Sequence, residues 1–280
     1  MIKSEIINKS ELFYEDKWDN GNLKEYYHYI LKNIMFFLTN NDIPYSVNFG
    51  CPEISKDINL DFQYEHTIIK KDEDKCTCKI HRYYSLIKNN SIFEYSNANI
   101  NHIKSFKKSD QYLNICHYYP PLLYNVTNSM DRVKNCLTIH SPSPRRDNIH
   151  QKINMDYYHQ VGIGDIYSKK DIKNVMDNYK LLVNIHQIET NLTLEELRVL
   201  PALMTGILII SEDVPYKEHI PYSKHIIFSP YDEIVETIKN VLNNYDFFRE
   251  KYLYNLDDTI NEMKNKSDKE MESVFKNYIA

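Results

Sequence analysis

Apolar and polar positions change rhythm along the chain, and the change predicts two kinds of architecture. Residues 24 to 39 (KEYYHYILKNIMFFLT) place apolar and aromatic side chains at helical spacing, with Lys24, Glu25 and Lys32 on the outer face. Asn40-Asn41-Asp42 stops that helix, and Tyr45 to Phe49 reads as a strand. Residues 58 to 70 (INLDFQYEHTIIK) alternate with the two-residue period of a strand, and Thr77 to Leu86 reads as the returning arm of a hairpin. A short strand at 91 to 95, an Asn-rich loop and a strand near Tyr112 to Tyr124 complete this half.

Beyond about residue 135, short buried runs alternate with amphipathic stretches. Strands are expected at 136–140 (CLTIH), 160–166 (QVGIGDI), 180–186 (KLLVNIH), 206–211 (GILIIS) and 226–228. Helices should open near Arg145-Arg146, run from Leu194 to Met204 and from Tyr231 to Asn243, and fill Asp246 to Tyr278. Buried strands alternating with helices mean parallel βαβ units and a doubly wound sheet. The domains expected are therefore 1–135, 136–250 and a C-terminal helical segment at 251–280. There is no internal repeat and no low-complexity linker.

Composition narrows the function classes. A net charge of -5 and a pI near 6.1 argue against a general nucleic-acid binder. Abundant Tyr, Asn, Lys and Ile follow AT-rich codons, as in a large DNA virus or an AT-rich bacterium. Five cysteines, an odd number, do not make a disulfide framework. Cys76, Cys78 and His81 lack the second pair of a zinc site, so no metal is expected. The N-terminus has no apolar signal core, and apolar runs fall far short of the ~20 residues that cross a bilayer. A cytoplasmic protein is expected, in the host cytoplasm if the source is viral.

Three constellations could carry chemistry. In a doubly wound sheet the ligand lies at the carboxyl ends of the strands, beside helix N-termini. The strand ending at His186, its loop, and the helix after it put His186, Glu189, Thr193, Glu195, Glu196 and Arg198 on that side. Thr193 reads as the N-cap, with Glu195 and Glu196 in the first turn. Ser143-Pro144-Arg145-Arg146 follows the first strand of this half, where adjacent guanidiniums would neutralise a diphosphate. Gly162-Ile163-Gly164 would let backbone approach a nucleotide base. In the first half, Asp61, Glu65 and His66 could supply a general base; Asp61 and Glu65 share one strand face and His66 the other. Each has a blander reading: good capping, a charged helix start, and the solvated face of a strand. No serine-hydrolase elbow, P-loop or complete dinucleotide fingerprint is present.

The run from Asn184 to Val235 resembles the donor-binding half of GT-B glycosyltransferases. The segment LRVLPALMTGILIISEDVPYKEHIPYSKHIIF looks most like exostosin-like glycosyltransferases, with an Arg-bearing helix, a Gly before an apolar strand, and a proline-aromatic loop leading to Tyr-Ser-Lys. About a fifth of the chain is covered. The resemblance implies a GT-B fold, two Rossmann-like domains facing across a cleft, with C-terminal helices that cross back. It implies transfer of a sugar from a UDP-sugar to a hydroxyl of a glycan acceptor, with inversion and without a bound metal or other cofactor; UDP-xylose is the donor guessed. One departure stands out: the position six before Gly206, where the family carries the second of two Glu residues, is Leu200, so the ribose role passes to Glu195 or Glu196. The rivals are a non-catalytic glycan-binding or scaffold protein on such a fold, and a nucleotide-sugar-modifying enzyme such as an epimerase.

Overall fold

In the computed structural model the residues described are 45–49, 58–62, 90–104, 114–117, 126–127, 131–153, 156–159, 169–190 and 192–276. The protein is α/β with two all-parallel sheets. Two compact units divide the chain, residues 1–121 with 264–280, and residues 122–263.

In the first unit β1 (Tyr45–Phe49), β2 (Ile58–Phe62), β3 (Asn90–Glu94) and β4 (Asn114–His117) lie in the order β1-β2-β3-β4, every pair parallel. Helix α1 (Asn97–Lys104) follows β3 directly. The hairpin expected at 58–86 is corrected here. Strand β2 has parallel neighbours on both edges over Ile58–Phe62, so no antiparallel arm can pair with those residues. The Asn-rich stretch after β3 is a helix rather than a loop. Ser96 explains its start, since its Oγ accepts from Asn99 N at 3.5 Å and its carbonyl from Ile100 N at 3.0 Å. The helix expected at 24–39 lies outside the described residues, as do Cys76, Cys78 and His81.

The second unit has five parallel strands in the order β6-β5-β7-β8-β9. They are β5 (Lys134–His140), β6 (Asp156–His159), β7 (Tyr179–Asn184), β8 (Leu208–Glu212) and β9 (Ile226–Ser229). The helices are α2 (Pro144–His150), α3 (Lys169–Met176), α4 (Glu196–Met204), α5 (Ile234–Asn243), α6 (Tyr245–Leu253) and α7 (Leu256–Lys276). The second strand falls at Asp156–His159, upstream of the 160–166 expected from its apolar run, and 160–168 lie outside the described residues. The division between the units falls inside α7.

Parity sorts the side chains of this sheet. Cys136, Leu181, Val183, Leu208, Ile210 and Ile227 form one apolar layer with Ile149 of α2 and Ile234, Ile238 and Val241 of α5. Leu137, Ile139, Leu182 and Ile209 have the opposite parity and are equally buried, as are Val199, Leu200, Ala202 and Leu203 of α4. A sheet buried on both faces explains why its strands read as continuous apolar runs. Burial pushes the Cys136 thiol up to about 12, so it stays protonated.

The junction between α4 and β8 depends on a glycine. Gly206 has φ +75°, and a Cβ there would sit 2.2 Å from the Thr127 carbonyl oxygen. Thr127 is fixed by its own N–H to Met204 O (3.0 Å) and its hydroxyl to Thr205 O (3.2 Å). Arg132, buried, donates to Met176 O (2.5 Å), Tyr179 O (2.8 Å) and Thr205 O. It thereby ties carbonyls at the ends of α3 and α4 to the start of β7.

Candidate functional site

The strand order sets where a ligand can enter. Chain connections leave β5 in opposite directions, to β6 on one side and, after β6, to β7 on the other. That is a topological switch point, and in open parallel sheets the crevice at the carboxyl ends of such strands receives the ligand. Here that edge is formed by residues 141–146 after β5, residues 185–189 after β7, and Glu212 at the end of β8.

Three arginines converge on this edge. Arg145 makes a fork-to-fork pair with Glu212, Nη1 to Oε2 and Nη2 to Oε1 at 2.5 Å each. Its guanidinium lies 3.7 Å from the centre of the Tyr231 ring, and the Tyr231 hydroxyl donates to Arg145 O at 2.7 Å. Asn148 Nδ2 donates to the same hydroxyl at 3.0 Å. Glu212 also accepts from His186 N at 3.0 Å, which joins the ends of β7 and β8.

Arg146 is almost wholly buried. It donates from Nε to Ile185 O and from Nη1 to Ser141 O, both at 2.8 Å, and its Nη2 stands 3.5 Å from Glu195 Oε1. Ser143 caps α2 by accepting from Arg146 N at 3.3 Å, and Pro144 takes the first helical turn, where its missing N–H costs nothing. Arg198, one turn into α4, pairs with Glu195 Oε2 and donates to Asn184 Oδ1 at 3.1 Å. Glu195 therefore bridges Arg146 and Arg198, and Asn184 Nδ2 extends the network to Ser211 Oγ at 3.2 Å.

The expected residues fall into three groups. Arg145, Arg146, His186, Glu195 and Arg198 are brought together in this network. Glu189 is exposed on the loop after β7, Thr193 is buried, and Glu196 is buried with Oε2 accepting from the Tyr222 hydroxyl at 2.7 Å. Asp61 lies in β2, in register with Asn48 and Ile92, while Glu65, His66, Gly162 and Gly164 lie outside the described residues. The N-cap assigned to Thr193 is corrected: α4 opens with Glu195 as its cap and no side-chain cap bond, because Glu195 is drawn into the two guanidiniums instead.

The sequence reading missed Glu212 as the partner of Arg145, Asn184 as that of Arg198, and Tyr231 as the stacking ring. Ser211-Glu212-Asp213 stood out only as an acidic loop. One hint was available: Glu212 has the parity of Leu208 and Ile210, so a carboxylate continues an apolar face and needs a cationic partner. Beneath the arginines His140, at the end of β5, meets the His150 ring edge-on at 5.4 Å, and Thr138 Oγ1 lies 2.6 Å from His140 Nδ1. Burial lowers the His150 pKa, Asp147 opposes the shift and Arg146 adds to it. Among the described residues no group of three His, Cys, Asp or Glu side chains is placed to hold a metal ion, and no helix is long and apolar enough to cross a membrane.

No protein-family model matches the chain. An uncharacterized protein of Acanthamoeba polyphaga mimivirus is 28% identical over 193 residues, a stretch that covers 66% of this chain and 64% of the relative. The chain thus spans a little under two thirds of the length of that curated relative. Among solved structures, the crystal structure of a GtfA/B complex bound to UDP and GlcNAc is similar at 11% identity, covering 79% of this chain and 55% of that one, with a TM-score of 0.30. The chain's own sheets show an α/β protein with an arginine–glutamate network at a switch point.

Proposed function

We propose that the second unit binds a nucleoside diphosphate at the carboxyl edge of β5, β7 and β8, and that the protein is a GT-B glycosyltransferase of the exostosin-like kind. Sugar passes from a UDP donor to a hydroxyl of a glycan acceptor, with inversion. The observation that carries this reading is the gathering of Arg145, Arg146 and Arg198 at the switch point, held by Glu195 and Glu212. Preorganised guanidiniums suit a diphosphate, whose leaving charge they stabilise without reorganising. Of the acids named for the ribose, Glu195 is tied between two arginines and Glu196 is buried on Tyr222, so Glu189 takes that role. No metal or cofactor enters the proposal.

A second reading has an observation of its own. Arg146 places Nε, Nη1 and Nη2 each on a protein acceptor, as a purely structural arginine would. A non-catalytic glycan-binding protein on the same fold would keep this network for stability alone.

A thermal-shift screen of UDP, GDP and CMP compounds, with UDP-xylose, UDP-glucuronate, UDP-galactose and UDP-N-acetylglucosamine, separates the two. A ligand at ~100 times its Kd stabilises by about 2.7 kcal/mol, and UDP compounds should show this. Flat curves across the whole panel favour the non-catalytic reading.

A further inference from the structure

Tyr231 follows β9 and opens a short helical turn at Tyr231–Glu233. Arg145 follows β5, and β7 and β8 lie between those two strands in the sheet. Two residues 86 apart in sequence therefore meet at the carboxyl edge, across the ends of two intervening strands. Their contact is double. The Tyr231 hydroxyl donates to Arg145 O at 2.7 Å and accepts from Asn148 Nδ2 at 3.0 Å, which fixes the ring at its polar end. The ring face then lies against the guanidinium of the same arginine, with the ring centre 3.7 Å from Cζ.

Packing accounts for part of this, because the ring also rests against the apolar layer of the sheet. That contact needs neither a hydroxyl nor a cation. The guanidinium, by contrast, gains from both. An arginine side chain has many rotamers, and ordering it on a ligand costs affinity. Glu212 takes one N–H from each Nη and so fixes only the end of the fork. The plane could still roll about that end, and a ring against its face stops the roll. Among the described residues none accepts from Arg145 Nε, and the side chain is partly exposed, so donors remain for a ligand.

We propose that Tyr231 is a positioning residue for the diphosphate. It holds the Arg145 guanidinium in one plane before the ligand arrives, so that the donors not spent on Glu212 meet a phosphate oxygen without reordering. The inference rests on the nucleotide reading above and deepens it. In this role Tyr231 acts only through Arg145.

The test is a double-mutant cycle on the full chain, titrated calorimetrically with inorganic pyrophosphate and with UDP. Tyr231→Leu should weaken both probes ~10-fold in the parent and change neither affinity further in Arg145→Ala. A ring with a structural role alone would lower affinity by the same factor in both backgrounds, and that result refutes the proposal. Proton NMR reads the positioning without ligand. The Arg145 side-chain signals, identified by their loss in Arg145→Ala, should lie upfield in the parent and return to the free-arginine position in Tyr231→Leu. Signals that stay in place overturn the proposal whatever the titrations give. If Arg145→Ala binds too weakly to titrate, these signals decide. Should Tyr231→Leu fail to fold, Tyr231→Phe takes its place, keeping the ring and removing the hydroxyl. It should weaken both probes ~3-fold in the parent and not at all in Arg145→Ala. If the parent binds neither probe while the signals shift as expected, the diphosphate reading fails and this one with it. If both probes bind and the cycle shows no coupling, this one alone fails.

Discussion

Arg145 and Arg146 are adjacent in sequence and differ in what surrounds them. The Arg145 side chain keeps 17% of its surface exposed, and the Arg146 side chain keeps 2%. Arg146→Ala should leave the Ser141 and Ile185 carbonyls and Glu195 short of a donor in a dry site and cost about 3 kcal/mol, read as a lower denaturation midpoint. Arg145→Ala leaves the Glu212 carboxylate, 10% exposed, without its cation, so it should also cost about 3 kcal/mol and weaken UDP binding ~10-fold or more. An unchanged denaturation midpoint in either variant would contradict this. The cluster of basic residues was visible in Ser143-Pro144-Arg145-Arg146. The partnership of Arg145 with Glu212 spans 67 residues, and only the parallel ladder β5-β7-β8 brings it about. No local spacing encodes such a pair.

At the scale of elements, legibility follows burial. Strands β7 and β8 could be read from Leu181-Leu182-Val183 and Ile207–Ile210, since a strand covered on both faces leaves an unbroken apolar run. Helix α1 could not, because NANINHIK is polar and Asn-rich and its start depends on Ser96 as a cap. β6 forms from the half-polar DYYH, which the sequence does not mark as a strand, while the apolar QVGIGDI expected as one lies outside the described residues. The turn from α4 to β8 makes a sharper claim. Gly206→Ala meets both the positive φ and the Thr127 carbonyl, so a loss of about 3 kcal/mol is expected, while Gly206→Ala with no change in Tm would show that this junction yields.

The histidines that join elements predict how stability follows pH. His117 touches Tyr95 at the end of β3, and His225 bridges Tyr252 O (2.6 Å) on α6 and Thr259 Oγ1 (2.9 Å) on α7. Burial lowers both pKa values, so the unfolded chain binds protons more readily than the folded one. Stability is therefore complete above about pH 6.5 and lost as pH falls. His117 alone accounts for about 3 kcal/mol between 6.5 and its folded value of about 4. Urea midpoints measured across that range should fall with acid, and His117→Gln should flatten the decline.

For the whole molecule, two all-parallel sheets each carry polar side chains at their carboxyl edges, which is where open α/β sheets bind ligands. The second sheet gathers Arg145, Arg146 and Arg198 at that edge, the cations proposed for a diphosphate. Whether Arg145, Arg146 and Arg198 form a diphosphate site is decided by calorimetric titration of the full chain with UDP, GDP and CMP. UDP should bind, with an affinity that weakens as salt rises and drops ~10-fold or more in Arg145→Ala and Arg198→Ala. Absence of binding by all three nucleotides, or UDP affinity unchanged in both variants, would contradict it.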